Sequence, residues 1–508
     1  MKCGTWLSAT ALALIAMPLG TSSAVGQQSG STQPAAIDLP VNQATTYKGE
    51  EFLLLGSSVR GAGEPVIAID PVNPNIILVG AMANENYIPG EKWAVGVPFS
   101  NWESVIKYRN TPDGSIAEYA ISYDRGRTWK FFDDPFRHYF KMNGIADTFV
   151  GMGKDGRLFI GAMNFFPRNA SPLMLKLERE PRPGLLYGNT DIAWSDDEGK
   201  NWSTPEHVMG QATPKEEYGP DVKPLFLGKT PYDRPFLITD QSTGTVYVPG
   251  NGSGGDPVHP ETFVRASDDN GKTWGLIYAY DAPDYLEGGM ASRPAAANGA
   301  LGVAYIASKV PAAEGSAKCP CVVFGVSRDE GKTFEHHLVV SNIYIPHGFF
   351  GMGSPALAAD PSHPGRFAVM TFSDNNSEMQ IRVTDDYGKT WKGPVTAGSV
   401  PGTTMRKPDI AYSGQGVLAV MWLATKPDGT YTAWSNASRD GGMTFGKQVQ
   451  VSEAPSPVRQ SIKFRGNNWD GDDLSSIAVD DQYAHMTWAD GRAGFLGSWY
   501  ARVPLSSY

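Results

Sequence analysis

Cysteine is scarce in this 508-residue chain, which contains only three. Cys3 falls within an N-terminal leader, so Cys319 and Cys321 remain, with one residue between them. Such a pair could form a disulfide or half of a metal site, but no further cysteine completes a zinc-binding set. We therefore expect a loop pair with no chemistry of its own.

Positive charge is also in deficit, because 53 Asp and Glu oppose 43 Lys and Arg, giving a net charge of −10 and a pI near 5.4. Such an acidic balance argues against nucleic acid and anionic membranes as partners. An acidic sugar remains compatible with it, because a local basic pocket can lie within an acidic protein. We expect a carbohydrate partner, in particular an acidic glycan, and a monomer.

Long apolar runs are absent beyond the N-terminus. There, Lys2 precedes an apolar run from Leu7 to Leu19, and Ser22-Ser23-Ala24 offers the small residues that a signal peptidase needs. A membrane anchor is the alternative, but the run is short for a bilayer span. We expect a secreted or periplasmic protein. The predicted organisation is a signal peptide at 1–24, a low-complexity linker at 25–46 and a single domain at 47–508.

One eight-residue pattern, S/T-x-D-x-G-x-T/N-W/F, recurs along the chain, and we call each copy a repeat turn. In a hairpin turn the Asp carboxylate can accept backbone hydrogen bonds, and the Gly can take a positive φ. The aromatic residue then starts the next strand and packs back over the turn. Six copies, 54 to 73 residues apart, indicate repeated β-units. They are Ser122–Trp129, Ser195–Trp202, Ser267–Trp274, Ser327–Phe334, Thr384–Trp391 and Ser438–Phe445.

Pairs of short apolar segments alternate with the repeat turns and read as two strands joined by a polar turn. Seven pairs and six repeat turns predict an all-β, seven-bladed β-propeller of four-stranded blades, with strands A to D in each. Six blades is the alternative, because the pair from Asp147 to Met163 is the least regular. The last blade lacks a strand D, so we expect Glu51–Leu55 to pair with Ser498–Arg502 and close the ring, which removes an open edge.

The repeat turns resemble the Asp-boxes, or BNR repeats, of the sialidase superfamily and its propeller relatives, over roughly Glu51 to Val503. The resemblance implies the propeller fold and says less about function, because non-enzymatic propellers such as sortilin-like receptors carry these boxes too. Sialidases of the superfamily bind the sugar carboxylate with three arginines, pair a Tyr nucleophile with a Glu, and use an Asp as acid/base. Their first arginine lies in an Arg-x-Pro motif, whereas the first blade here opens with Glu64-Pro65.

Basic residues open three other blades. Arg234 precedes Pro235 in blade 3, Arg293 precedes Pro294 in blade 4, and Arg406-Lys407 precedes Pro408 in blade 6. The start of strand A lies near the propeller axis, so these groups can converge on one anion, and an arginine fork suits a carboxylate. The alternative is that each Arg pairs with an acid on a neighbouring blade. Further candidates for substrate binding are Arg492, in the strand B–C turn of blade 7, and His347, before blade 5.

Acids and tyrosines in the same loops are candidates for catalysis. Asp233 and Asp473 are the acid/base candidates, because a carboxylate beside arginines can transfer protons, hold the arginines or ligate calcium. Tyr344 or Tyr285 is the candidate nucleophile, with Glu287 drawing its proton. In a lyase, His347 or His138 would act with a tyrosine as base and acid. The alternative for each residue is an ordinary packing or loop role.

Three functions compete at this point. The first is a sialidase-like glycoside hydrolase, an exo-glycosidase that cleaves a terminal acidic sugar held by arginines at the propeller mouth. The second is a polysaccharide lyase acting on uronic acids. The third is a non-catalytic propeller that binds glycan or protein. We expect no resident metal or other cofactor, with Ca²⁺ as an open alternative.

Overall fold

The computed structural model describes most of the chain from residue 42 onward. The described residues are 42–43, 51–56, 61–84, 119–132, 144–167, 186–210, 213–220, 222, 230–253, 262–280, 293–307, 319–343, 355–373, 375–456, 462–464, 467–469, 474–492 and 496–508.

The described strands form seven antiparallel sheets, called blades 1 to 7 from here on, and one separate hairpin. Blade 1 contains β1 (Asn42–Gln43), β3 (Gly61–Ile69), β4 (Ile77–Asn84), β5 (Tyr119–Ser122) and β6 (Thr128–Phe132). Strand β2 (Glu51–Leu55) belongs to blade 7. Blade 2 contains β7 (Gly144–Met152), β8 (Leu158–Pro167), β9 (Leu186–Ser195) and β10 (Glu206–Gly210). Blade 3 contains β11 (Thr230–Asp233), β12 (Ile238–Thr239), β13 (Val246–Ser253), β14 (Thr262–Ser267) and β15 (Ile277–Ala279).

The remaining blades follow the same order. Blade 4 contains β16 (Ala295–Ala297), β17 (Ala300–Ala307), β18 (Cys321–Ser327) and β19 (Glu335–Val340). Blade 5 contains β20 (Leu357–Ala359), β21 (Phe367–Phe372), β22 (Glu378–Thr384) and β23 (Lys392–Ser399). Blade 6 contains β24 (Thr404–Tyr412), β25 (Leu418–Thr425), β26 (Tyr431–Ser438) and β27 (Val449–Gln450). The hairpin is β28 (Ile462–Phe464) with β29 (Asn467–Trp469), and blade 7 contains β30 (Ser475–Val479), β31 (Tyr483–Asp490) and β32 (Gly497–Pro504).

Helix is confined, in the described part of the chain, to 3-10 turns at Lys154–Gly156, Lys215–Glu217 and Leu505–Ser507. Among these residues no helix is long and apolar enough to cross a bilayer.

The inner strands, strand A of each blade, contact one another in a closed circle. In order around the circle they are β3, β7, β12, β16, β20, β24 and β30, and β30 contacts β3 again. The seven-bladed propeller is therefore confirmed, and the six-bladed alternative is wrong because β7 and β8 form a regular part of blade 2. The blades pack face to face through large apolar side chains, as where the Phe324 ring of blade 4 lies 5.0 Å from the Phe367 ring of blade 5.

The ring closes as the sequence predicts. Strand β2 pairs antiparallel with β32, with Glu51 opposite Ala501 and Phe52 opposite Tyr500. The first long strand of the described chain thereby becomes strand D of the last blade. Phe52 is buried, and its ring lies 5.3 Å from that of Tyr500. This closure leaves blade 7 with no missing strand, so the circle of sheets has no gap at its seam.

The repeat turns have the predicted chemistry, shown by the copy at Ser267–Trp274. The Asp269 carboxylate accepts hydrogen bonds from the backbone N–H groups of Lys272 (3.0 Å) and Thr273 (2.8 Å) and from the Thr273 hydroxyl (2.7 Å). Gly271 has a φ of +81°, which a β-carbon would disfavour. The pattern did not predict the role of the first residue. The Ser267 hydroxyl donates to Asp269 and accepts from the Gly271 N–H, so it bridges the two.

Cys319 and Cys321 correct one expectation. Cys319 and Cys321 are joined by a disulfide at the start of β18, so the prediction of an unlinked loop pair is wrong. Their Cα atoms lie 4.5 Å apart, and Cys321 is fully buried. The chain turns at Pro320 and brings both sulfurs to the same side, which a C-x-C spacing alone does not determine.

Candidate functional site

A ring of charged residues marks the start of strand A in several blades. The register of strand A with strand B is interrupted at Gly63/Val66, Ala146/Phe149 and Arg406/Asp409, and blade 3 is broken between β11 and β12. At each interruption one charged residue has a positive φ. These residues, called the bulge residues below, are Glu64 (+51°), Asp147 (+44°), Arg234 (+50°) and Lys407 (+48°).

The bulge residues adopt a strained backbone conformation. A left-handed backbone at a residue other than glycine costs of order 1 kcal/mol or more, and such residues concentrate at functional sites. A β-bulge also redirects a side chain that would otherwise follow the alternation of the strand. Glu64, Arg234 and Lys407 are each less than a tenth exposed. Four blades therefore hold a charged group in a strained position at one end of the inner strands.

The sign of the charge on the bulge residue differs from blade to blade. Acids occupy the position in blades 1 and 2, as Glu64 and Asp147, whereas bases occupy it in blades 3 and 6, as Arg234 and Lys407. The two groups meet where the Asp147 carboxylate accepts a hydrogen bond of 2.8 Å from the backbone N–H of Arg234. Arg293 stands at the corresponding place in blade 4, directly before a proline, as Arg234 does in blade 3.

Arg293 crosses the propeller axis. Its Nη1 donates a hydrogen bond to the Ser476 hydroxyl (3.2 Å) and lies 3.6 Å from Asp409 Oδ2. Ser476, in β30 of blade 7, also accepts from the N–H of Ile67 in blade 1 (3.3 Å). In a ring of seven, the seam between blades 7 and 1 lies opposite blade 4, so this contact spans the centre. We call Arg293, Asp409 and Ser476 the axis bridge.

The axis bridge draws the openings of blades 3, 4 and 6 together. The Arg293 guanidinium lies 4.8 Å from the centre of the Phe236 ring, and Phe236 follows Arg234 by two residues in blade 3. Asp409 follows Arg406 by three residues in blade 6. A cation over an aromatic face is electrostatically favourable, and more so when water is excluded. The bridge thus connects the three blades whose openings carry the predicted arginines.

Burial affects both charged members of the axis bridge, Asp409 and Arg293. Burial raises the pKa of Asp409 above the usual range of a carboxyl group, although Arg293, the backbone N–H of Ile477 and the Ser476 hydroxyl oppose that rise. The Ile477 N–H donates to Asp409 at 3.0 Å. Arg293 Nε is buried and has no hydrogen-bond partner among the described residues. The guanidinium is therefore held through Nη1, while its Nε has no partner among the described residues.

Three other predicted residues belong to the same blade openings. Asp233 is buried at the end of β11, directly before Arg234. Arg406 is half-buried in β24, and its neighbour Lys407 is buried. The convergence of Arg234, Arg293 and Arg406 on one substrate anion stays a prediction.

Arg492 has a different setting. Its guanidinium pairs with Glu51, lies 3.1 Å from Asp490 Oδ2 and stacks 3.9 Å from the centre of the Trp499 ring. These contacts tie the strand B–C turn of blade 7 to the closing strand β2. Glu51 also accepts the N–H of Glu453, at 2.8 Å, so the same carboxylate reaches the end of blade 6.

The remaining site predictions lie outside the described residues. They concern the acid Asp473, the candidate nucleophiles Tyr344 and Tyr285, the carboxylate Glu287, and His347 and His138. Within the part of the chain that is described, no group of three or more His, Cys, Asp or Glu could hold a metal ion.

Comparisons with known proteins return propellers at low similarity. No family model and no curated protein sequence matches the chain. The Hadza microbial sialidase Hz136 has 12% identity and a TM-score of 0.44. The match covers 93% of this chain and 98% of the sialidase. An ulvan lyase from a new polysaccharide lyase family has 13% identity and a TM-score of 0.45. The match covers 89% of this chain and 96% of the lyase. An alpha-L-arabinanase from Penicillium chrysogenum has 16% identity and a TM-score of 0.40. The match covers 71% of this chain and 94% of the arabinanase. None of these likenesses assigns a function to this chain.

Sequence reasoning missed the partners of Arg293. Asp409 and Ser476 are polar residues within inner strands, and no local pattern joins them to an arginine in blade 4. One signal was available for the ring as a whole. A charged residue directly before a proline recurs at four blade openings, at Glu64, Arg234, Arg293 and Lys407. Proline disfavours the helical region for the preceding residue, so the repetition indicates a shared special backbone.

Proposed function

We propose that this protein is a secreted, sialidase-like exo-glycosidase of the Asp-box propeller type, cleaving a terminal acidic sugar at the mouth of the ring. The observation that carries the proposal is the axis bridge, which gathers the openings of blades 3, 4 and 6 around Arg293. Basic residues open blades 3, 4 and 6 of a chain whose net charge is −10, and their convergence would favour an anionic ligand. A terminal sugar carboxylate fits an arginine fork in both charge and shape.

Each candidate residue has a role in this proposal. Arg234, Arg293 and Arg406 bind the sugar carboxylate, and Lys407 adds positive charge. Asp233 or Asp473 donates a proton to the glycosidic oxygen as the bond between that oxygen and the anomeric carbon breaks. Tyr344 or Tyr285 attacks the anomeric carbon while Glu287 takes its proton.

Water then attacks the anomeric carbon of the glycosyl–tyrosine intermediate, and the same Asp accepts a proton from that water. The bond between the anomeric carbon and the tyrosine oxygen breaks as Glu287 returns its proton to that oxygen, and the free sugar leaves. His347 is assigned to substrate contact. Arg492 is left out, because Glu51, Asp490 and Trp499 already engage it.

One assay separates the three competing functions. Purified protein is incubated with sialosides and, separately, with uronate polysaccharides. Released free sialic acid supports the proposal, whereas new ultraviolet absorbance from an unsaturated uronate would replace it with a lyase. Glycan binding with neither product would leave a binding propeller.

A variant of Arg293 tests the site itself. A buried hydrogen bond to a charged group contributes about 1.5–3 kcal/mol, and about 1.4 kcal/mol is one decade. Arg293→Ala should therefore lower kcat/KM, or the affinity for an acidic sugar, at least about tenfold. Arg293→Lys should restore part of the loss, because an ammonium lacks the fork.

The matched control is Arg366→Ala. Arg366 also holds a carboxylate, that of Asp385 at 2.6 Å, but it lies in the strand A–B turn of blade 5. Strand A begins near the mouth, so this turn lies at the opposite end of the blade. Equal losses in Arg293→Ala and Arg366→Ala would count against the proposed site.

A further inference from the structure

We propose that Asp409 and Ser476 are positioning residues, which hold the Arg293 guanidinium so that its Nε edge faces the substrate anion. The proposal rests on the proposed function and adds two residues to its site. Neither residue has to touch the substrate, since both act through Arg293.

The contacts restrict Arg293 on several sides. Asp409 and Ser476 both engage Nη1, at 3.6 Å and 3.2 Å, and Arg293 Cζ lies over the Phe236 ring, 4.8 Å from its centre. A free arginine side chain has many rotamers, and ordering it on binding weakens affinity. The contacts impose that order before a ligand arrives.

The direction of the remaining donors follows from the planarity of the group. A guanidinium presents two N–H bonds in parallel along its Nε/Nη2 edge, which matches both oxygens of a carboxylate. With Nη1 engaged, this edge is the one left for a ligand. Arg293 Nε is buried with no partner among the described residues. A buried donor without an acceptor is unfavourable, so its retention fits a ligand that supplies the acceptor.

The charge of Asp409 gives the proposal a sharp test. A carboxylate next to Arg293 repels an anion, so on charge alone Asp409→Asn should strengthen the binding of an acidic sugar. If Asp409 positions Arg293, the same change should weaken binding. The two effects have opposite signs.

The first measurement needs no substrate. The Nε–H resonance of Arg293 in ¹⁵N-labelled protein is identified by its loss in Arg293→Lys. A positioned guanidinium gives a narrow, slowly exchanging signal, which should broaden and exchange faster in Asp409→Asn and in Ser476→Ala. Asp385→Asn is the control, because it removes the carboxylate beside Arg366 Nε and should leave the Arg293 signal unchanged.

The second measurement is the affinity for N-acetylneuraminic acid and D-glucuronic acid, by calorimetry. Asp409→Asn should raise Kd about tenfold in the presence of Arg293 and less than about twofold in an Arg293→Lys background. A general loss of structure would cost the same in both backgrounds. Ser476→Ala repeats the test if Asp409→Asn does not fold.

The outcomes separate the two proposals. An unchanged Arg293 signal, or unchanged or tighter binding in both Asp409→Asn and Ser476→Ala, overturns the positioning role. If the wild-type protein binds neither acid, the proposed function fails, and the resonance still decides whether Asp409 and Ser476 fix Arg293.

Discussion

His485 and Tyr500 form a buried pair at the seam where the ring closes, with His485 Nδ1 2.7 Å from the Tyr500 hydroxyl oxygen. On its other side His485 Nε2 lies 3.1 Å from Asp480 Oδ2. A carboxylate can only accept, so Nε2 carries the proton and Nδ1 accepts from Tyr500. Arg125 of blade 1 contacts the same Asp480 oxygen at 3.2 Å, which connects the pair to the neighbouring blade.

This pair predicts acid sensitivity of the closed ring. Burial lowers the pKa of His485 from 6.5, and nearby Arg502 and Arg125 lower it further, although Asp480 opposes them. A histidine with a lowered pKa in the folded state takes up its proton more readily when unfolded. Its contribution to stability is therefore complete above pH 6.5 and is lost as the pH falls towards the folded-state pKa.

Thermal melts between pH 8 and pH 5 check this expectation. The melting temperature should fall towards pH 5, and His485→Gln should show a shallower fall from a lower starting value. His363→Gln is the matched control, because the His363 side chain is 45% exposed and lies in blade 5. Parallel curves for wild type and His485→Gln would contradict the prediction.

The repeat turns predict a stability cost that is separate from activity. Asp269→Ala removes the hydrogen bonds to Lys272 and Thr273 and should destabilise the fold by about 1 kcal/mol, leaving activity per folded molecule near normal. The neighbouring Asp268→Ala, an exposed position in the same turn, should change stability by less than about 0.5 kcal/mol. Chemical denaturation measures both. Loss of turnover with an unchanged denaturation midpoint would show that the turn has a functional role.

The same carboxylate gives a second pH dependence. Burial alone would raise the pKa of Asp269, but hydrogen bonds from Thr273, Ser267 and Lys272 outweigh it and lower the pKa to about 2. The stabilisation is present above pH 3.8 and is lost as the pH falls from there towards 2. Acid unfolding of Asp269→Asn should therefore show a weaker pH dependence than wild type in this window. The comparison fails if the two acid transitions have the same slope.

Gly126 illustrates a glycine that the fold requires. Its φ is +83°, and an added β-carbon would lie 1.9 Å from the Tyr500 hydroxyl oxygen. Gly126→Ala should destabilise by at least about 2 kcal/mol, because a strained backbone and a clash with the buried pair combine. Gly414→Ala is the control, since nothing lies within 4 Å of a β-carbon there. Equal stability of the two variants would show that the seam can relax around Gly126.

The packing of strand β2 predicts how much the ring closure contributes to the stability of the fold. Phe52 is 7% exposed and packs on Tyr500, so Phe52→Ala should cost about 3–5 kcal/mol. The neighbouring Leu53 is half-buried on the other face of the strand, and Leu53→Ala should cost clearly less. Amide hydrogen exchange locates the effect. In Phe52→Ala the amides of β2 and β32 should lose protection before those of blade 4.

Local and repeated features were predictable from the sequence. The Asp and Gly of each repeat turn act within eight residues, so their chemistry is visible in the pattern. The closing role of Glu51–Leu55 followed from counting strands, because the last blade lacked one. The partners of Arg293 were not predictable, since Ser476 and Asp409 belong to distant blades and reach Arg293 only across the centre of the closed ring. The disulfide was mispredicted, because C-x-C spacing fits both a linked and an unlinked pair.

The closing strand has a consequence for synthesis. Glu51 and Arg492, which meet at the seam, are separated by 441 residues in the chain. Strand β2 must therefore wait, with its backbone groups unpaired, until the 441 residues up to Arg492 have been made. Contacts over such sequence distances form slowly, and an unpaired strand edge is open to wrong partners meanwhile. We therefore expect the docking of Glu51–Leu55 to be a step at which a nascent chain can misassemble or be bound by chaperones.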